Sequence, residues 1–217
     1  MALCQGGRVM IAEKLLACAT PTPLDPPNTL FLAFAQGTAG GAPEAIVGQL
    51  HPLYSGIALD GIGGAIVQSA GSASYILPPA ASFGAGDFLL DIVFDGENIP
   101  RMTDLNSFSV ATFNGNAYVS TSGVQWDYII PISPPPGQNH VAFGRQSGVV
   151  QAWLNGSRVF RAADAAAGAN PISQITVHQS PQTGADMTVH SVRICYGVDL
   201  YGDNANIAVP TLPLGIV

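Results

Sequence analysis

The stretch from Asn139 to Phe160, N-H-V-A-F-G-R-Q-S-G-V-V-Q-A-W-L-N-G-S-R-V-F, admits few folds. Asn155-Gly156 separates two apolar-rich runs, and a two-residue type I′ turn needs φ > 0 at both positions, which Asn-Gly tolerates best. Gln146-Ser147-Gly148 supplies a second reversal. The stretch therefore predicts three antiparallel strands: His140 to Arg145, Val149 to Leu154 and Ser157 to Phe160. Such a meander has an apolar face that a second layer must cover. The expectation is an all-β chain forming an antiparallel two-sheet sandwich.

The remainder can be read as the supply of that second sheet, preceded by an arm. Strands are expected at Thr29 to Phe34, Leu50 to Tyr54, Ala65 to Val67, Ser74 to Leu77 and Phe88 to Phe94. More are expected at Ser107 to Phe113, Ala117 to Ser120, Val124 to Ile130, Ile172 to His178 and Met187 to Cys195. Turn signals recur at short intervals, which favours a sandwich over a βαβ fold. Residues 36–73, rich in Gly, Ala and Ser, give little pattern; Gly61, Gly63 and Gly64 lack a P-loop Lys-Ser/Thr and read as turn residues. Residues 1–20 hold the one credible helix, with Val9, Met10, Leu15, Leu16 and Cys18 as a patchy apolar face. Pro21, Pro23, Pro26 and Pro27 stop it. The chain thus divides into a docking arm over 1–28, a short helix and a proline-rich linker, and a β-sandwich over 29–217. The alternative for the helix is packing on its own domain.

Charge narrows the partners. Only 10% of the 217 residues are charged, against about 25% in ordinary globular chains. A surface so poor in charge suits a subunit that buries itself against copies or neighbours, although a genome favouring Ala and Gly would also produce it. The formal net charge is −7, and the seven Lys and Arg form no cluster. Nucleic acid and anionic membrane surfaces are therefore not expected partners. No apolar run reaches the roughly 18 residues of a membrane span. Leu15-Leu16-Ala17-Cys18 has the look of a lipidation box, but Glu13 and Lys14 lie where an apolar core should be, so no lipid anchor is expected. Cys4, Cys18 and Cys195 make no disulfide framework or metal spacing, which fits synthesis in a reducing cytoplasm.

Three segments resemble the laminin-G-like, concanavalin-A-like jelly rolls of tailed-bacteriophage structural proteins. Phe83-Gly84-Ala85-Gly86-Asp87-Phe88-Leu89-Leu90-Asp91-Ile92 is similar to that family's "F-x-x-G-D-F-T-I-E-F" strand. His140-Val141-Ala142-Phe143 through Trp153-Leu154-Asn155-Gly156 is similar to its "W-H-H-V-A … L-Y-V-D-G" hairpin. Val189-His190-Ser191-Val192-Arg193-Ile194, followed by Gly197-Val198-Asp199-Leu200-Tyr201, resembles "I-D-D-V-R-I-T-K-G-V-A-R-Y". The chain departs from the pattern at Gln138-Asn139, Asp91 and Cys195-Tyr196. The resemblance implies a jelly-roll sandwich in a virion, made in the host cytoplasm. It would be docked by its arm to other virion proteins and to copies of itself, with the tail fibre or baseplate favoured over decoration of the head and both left open. The alternative function is a carbohydrate-binding host-receptor module of the tail.

Candidate sites follow. A glycosidase needs two carboxylates about 5–9.5 Å apart. Asp91, Asp95 and Glu97 alternate onto one face, but Gly96 is expected to end the strand, so no enzyme is expected. His51, His140, His178 and His190 show no zinc spacing, although His178 and His190 fall on strands expected to be adjacent. The wider fold often holds calcium at its rim through oxygen ligands; Asp186, Asp199, Asp203 and Asn204 are the loop oxygens placed to supply them, with turn formation as the alternative. For a glycan, Trp126, Asp127 and Tyr128 are the suggestive group. Alternation along a strand would put Trp126 and Tyr128 on one side and Asp127 on the other, with both rings and Trp153 equally readable as core.

Overall fold

The computed structural model describes residues 29–33, 52–59, 65–76, 86–103, 108–164, 174–178, 187–197 and 201–209. The arm residues Val9, Met10, Leu15 and Leu16, and the candidate ligands Asp186 and Asp199, lie outside them. All regular structure among the described residues is strand: β1 (Thr29–Ala33), β2 (Pro52–Leu59), β3 (Ala65–Ile76), β4 (Phe88–Asp95), β5 (Arg101–Thr103), β6 (Ser109–Phe113), β7 (Asn116–Ser120), β8 (Tyr128–Pro131), β9 (Gln138–Gln146), β10 (Val149–Leu154), β11 (Ser157–Ala163), β12 (Gln174–His178) and β13 (Met187–Tyr196). Every pairing is antiparallel.

Two layers result. One runs β11-β10-β9-β4-β13 with β1 beside β13; the other runs β3-β12-β5-β6-β7-β8 with β2 beside β3. β3 belongs to both. Its start, Ala65–Val67, pairs with β13, while Ser72–Ile76 pairs with β12. The predicted meander is β9-β10-β11, and its tight turns have φ > 0 at both central residues: 51° and 75° at Ser147-Gly148, 47° and 87° at Asn155-Gly156. Asn114-Gly115 repeats the device between β6 and β7, at 48° and 71°.

Period-two alternation sends one side of each layer inward. Phe88, Leu90, Ile92 and Phe94 of β4, Val141 and Phe143 of β9, and Val192 and Ile194 of β13 meet Met102, Val110, Ala117, Val119 and Ile130 of the opposite layer in one core. Each of these side chains larger than alanine stabilises the fold by about 1.5–3 kcal/mol relative to exposure. At the far edge a polar clasp ties the layers. Arg145, 1% exposed, donates from Nη1 to Asp164 at 2.9 Å and from Nε and Nη2 to the Gly86 carbonyl. Asp164 Oδ1 accepts from Thr121 Oγ1 and from the Tyr128 hydroxyl, both at 2.9 Å, across the gap between layers. Burial, and then the Asp164 carboxylate, push the Tyr128 phenol up to about 12.

The outer face of the β9-β4-β13 layer is buried as well, because residues 201–209 lie across it. Trp153 Nε1 donates to the Asn204 carbonyl and Gln151 Nε2 to the Gly202 carbonyl, each at 2.9 Å. Ile207 N donates to the Gly156 carbonyl. Beneath this strap Asp91, fully buried, accepts from His140 Nε2 at 2.9 Å and from Arg193 Nε at 2.8 Å; Arg193 Nη2 also reaches the Tyr201 hydroxyl. Burial alone would raise the Asp91 carboxyl, but the Arg193 guanidinium and the His140 hydrogen bond outweigh it and hold the group below its ordinary range. Burial also raises the Tyr201 phenol. His140 Nδ1 and Ser191 Oγ are buried with no hydrogen-bond partner, so the network is satisfied only in part.

Candidate functional site

The outer face of β6-β7-β8 is open where its counterpart is covered. Inward-facing Val110, Ala117, Val119 and Ile130 leave Phe113, Tyr118 and Ile129 pointing outward, and the register sets Tyr118 opposite Ala111 on one side and Ile129 on the other. Phe113 and Ile129 are 46% and 58% exposed. Tyr118 stands edge-to-face with Phe113 at 6.1 Å and with Trp126 at 6.1 Å, so the three rings form a row. Trp126 is itself 45% exposed.

The loop between β7 and β8 is built to hold that indole out. Asp127 Oδ2 accepts from the Thr121 and Ser122 backbone N–H groups at 2.8 Å, and Oδ1 accepts from Ser122 Oγ. Ser120 Oγ accepts from Gly123 N, and Gly123 takes φ = 72°, a value that suits glycine. Asp127 N donates to the Val119 carbonyl. The loop thus closes on its own carboxylate. At its foot is a cavity of about 390 Å³, lined by Arg101 of β5, Ser109 of β6, Ser120 at the end of β7, and Val124, Gln125 and Trp126 of the loop.

The structure parts the Trp126-Asp127-Tyr128 triplet. The strand expected from Val124 starts only at Tyr128, because Asp127 spends its oxygens on loop N–H groups. Trp126 faces the cavity; Tyr128 turns into the sandwich, 5.5 Å from the Phe160 ring and bonded to Asp164. Trp153 is fully buried. Of the proposed calcium ligands that are described, Asp203 has its carboxylate engaged by Arg158 and Arg161, which also hold its pKa low, and Asn204 donates its side-chain amide to the Tyr201 carbonyl. Among the described residues no group of His, Cys, Asp and Glu side chains is gathered as for a metal. The acids considered for glycoside cleavage are dispersed: Asp91 is sealed under the strap, Asp95 lies 3.0 Å from His190, and Glu97 stands exposed in a bend beyond β4. His178 and His190 are not on adjacent strands, since β3 lies between β12 and β13.

Sequence reasoning did not find Arg101, Tyr118 or Phe113. Arg101 follows Pro100 in a three-residue strand with no period, and the aromatic row becomes visible only when β6, β7 and the loop are brought together.

No family model matches this chain, and no curated protein matches it. Solved structures do. The binding domain of botulinum neurotoxin DC in complex with rat synaptotagmin II superposes with a TM-score of 0.63 at 11% identity, over 80% of this chain and 49% of that one. A botulinum neurotoxin type C structure, described for its interaction with two ganglioside molecules, gives 0.60 at 11%, over 80% and 49%. Trypanosoma rangeli sialidase in complex with sialic acid gives 0.57 at 12%, over 88% of this chain and 36% of the sialidase. The chain thus spans about half the length of the toxin binding domains. At such identities the likeness concerns fold, and the fold is a lectin-like, all-β antiparallel sandwich.

Proposed function

We propose that this chain is a glycan-binding module whose site is the Trp126 cavity with the Phe113–Tyr118 row beside it. One observation carries the reading: three aromatic rings in a row, two of them almost half exposed, end at a cavity floored by polar side chains. Sugar rings present apolar C–H faces and hydroxyl edges, so a binding site for them combines a flat aromatic surface with nearby hydrogen-bonding groups. The cavity falls within the roughly 300–1,000 Å³ usual for small-ligand sites. The neighbours, one described for interaction with gangliosides and one in complex with sialic acid, support the same reading at the level of fold. The test is a glycan array probed with the full chain and with Trp126→Ala. Binding by the parent and its loss in the variant, with unfolding curves alike, are expected; a parent that recognises no glycan would sink the reading.

The virion setting implied by the phage resemblance draws no support from these neighbours. We keep it as a separate proposal about where such a module would work, docked through residues 1–28 to other virion proteins. Its test is deletion of residues 1–28, expected to leave a folded sandwich that no longer joins particles.

A further inference from the structure

The cations of the described residues are spoken for, with one exception. Arg145 is paired with Asp164, Arg158 and Arg161 with Asp203, and Arg193 with Asp91. Arg101 alone among them has no carboxylate, and its Nε is shut off from solvent without a hydrogen-bond partner. Burying a guanidinium nitrogen unpaired is unfavourable, and a chain carrying 14 Asp and Glu against seven Lys and Arg has carboxylates to spare. Yet no acid is found among the described residues that line the cavity where Arg101 sits. A strongly acidic chain has here left the one guanidinium among the described residues that lacks a carboxylate in the wall of an open cavity, beside an exposed indole.

We infer that the Trp126 cavity takes an anionic sugar, one bearing a carboxylate or a sulfate, with Arg101 as the group that binds the charge. The inference rests on the glycan reading above and adds the ligand's chemical class. A planar guanidinium matches the paired oxygens of either anion in a two-pronged arrangement that a neutral hydroxyl cannot reproduce. Trp126, across the same cavity, meets the sugar ring, so charge and ring are read by different residues. The long-range field of a chain with net charge −7 opposes an acidic ligand, but salt screens charges more than about 8–10 Å away, so selectivity arises from the groups at contact distance.

The experiment titrates the full chain with three oligosaccharides of equal length: galactose oligomers, galacturonate oligomers and sulfated galactose oligomers. The readout is the fluorescence of Trp126, since Trp153, the other tryptophan, is fully buried. The parent is expected to bind one or both anionic oligomers about tenfold or more tightly than the neutral one, the factor a charge-assisted hydrogen bond supplies. Which anion wins distinguishes carboxylate from sulfate. Arg101→Gln should erase that preference while keeping the neutral affinity, and Arg101→Lys should restore part of it. Should Arg101→Gln fail to fold, the parent alone decides: its anionic affinity must fall with added sodium chloride while the neutral affinity holds. Equal affinity for all three oligomers, a preference that survives Arg101→Gln, or a preference indifferent to salt would overturn the inference and leave the glycan reading intact. Absence of binding to all three, together with an empty glycan array, would overturn both.

Discussion

On the outer face of β9-β4-β13, Asp91, His140 and Arg193 lie beneath residues 201–209, whose Tyr201 hydroxyl accepts from Arg193; on the outer face of β6-β7-β8, Phe113, Trp126 and Ile129 stand open to solvent. Both faces carry aromatic and cationic side chains. On the first, every guanidinium has its aspartate and the aromatic rings pack against one another, with Tyr201 edge-on to Trp153 at 5.6 Å and to His140 at 6.3 Å. On the second, the rings pack only on one side and the guanidinium is left over. The contrast separates two uses of the same chemistry. A covered polar network makes stability depend on each member, because removing one strands the others; an uncovered row contributes little to stability and is free to meet something else.

The largest break in this comparison should come from Asp91. Asp91→Ala leaves Arg193 and His140 buried without their acceptor, and urea denaturation is expected to show a loss of about 3–5 kcal/mol. The same carboxyl gives a pH signature. Its value in the folded protein is held below 3.8, its ordinary value, so its contribution to stability is present above that value and is lost as the pH falls through the folded one. Unfolding midpoints followed below about pH 4 should fall more steeply for the parent than for Asp91→Asn, which has no charge there to lose. Next in size is Gly156→Ala. Gly156 has φ = +87°, and a Cβ there would meet the Ile207 carbonyl oxygen at 2.8 Å, so the substitution strains the turn and pushes the strap off. About 1–3 kcal/mol of stability should be lost, with faster amide exchange at Ile207, whose N–H bonds to Gly156. On the open face the scale shrinks. Trp126→Ala removes one edge-to-face ring contact and should change stability by about 1 kcal/mol or less, while abolishing glycan binding on an array. Smallest of all, Ile129→Ser should alter stability by no more than about 0.5 kcal/mol in thermal denaturation. A large cost at Ile129 or Trp126 would mean that this face, too, is part of the fold's support.

The strands that were legible in the sequence are those whose turns state their own geometry. Ser147-Gly148 and Asn155-Gly156 mark β9-β10-β11 because few residue pairs accept φ > 0 twice in succession, and β4 announces itself by the apolar run Phe88 to Phe94, broken only by Asp91, between Gly86-Asp87 and Gly96. β3 was legible only at its ends: Ala65–Val67 and the stretch after Ser74 are parts of one strand, and the Gln-Ser-Ala-Gly-Ser-Ala between them carries no hydrophobic period. The aromatic at Trp126 drew attention by composition, but its exposure followed from Asp127 gathering the loop, a hydrogen-bonding choice that alternation along a strand does not encode. Arg101 was illegible for a further reason. Its singularity lies in what the other arginines are bonded to, and partners such as Arg193 with Asp91, 102 positions apart, exist only once the layers have formed.

β3 also fixes when the molecule can be finished. Its opening residues find Met187 to Val189, far along the sequence, whereas its closing residues find β12. With β2 on one side, the other edge of β3 therefore stays bare until β12 and β13 have been made. Pairing so remote in sequence slows folding and leaves an adhesive rim exposed meanwhile, which makes nascent-chain protection during synthesis a property of this topology rather than of any one side chain.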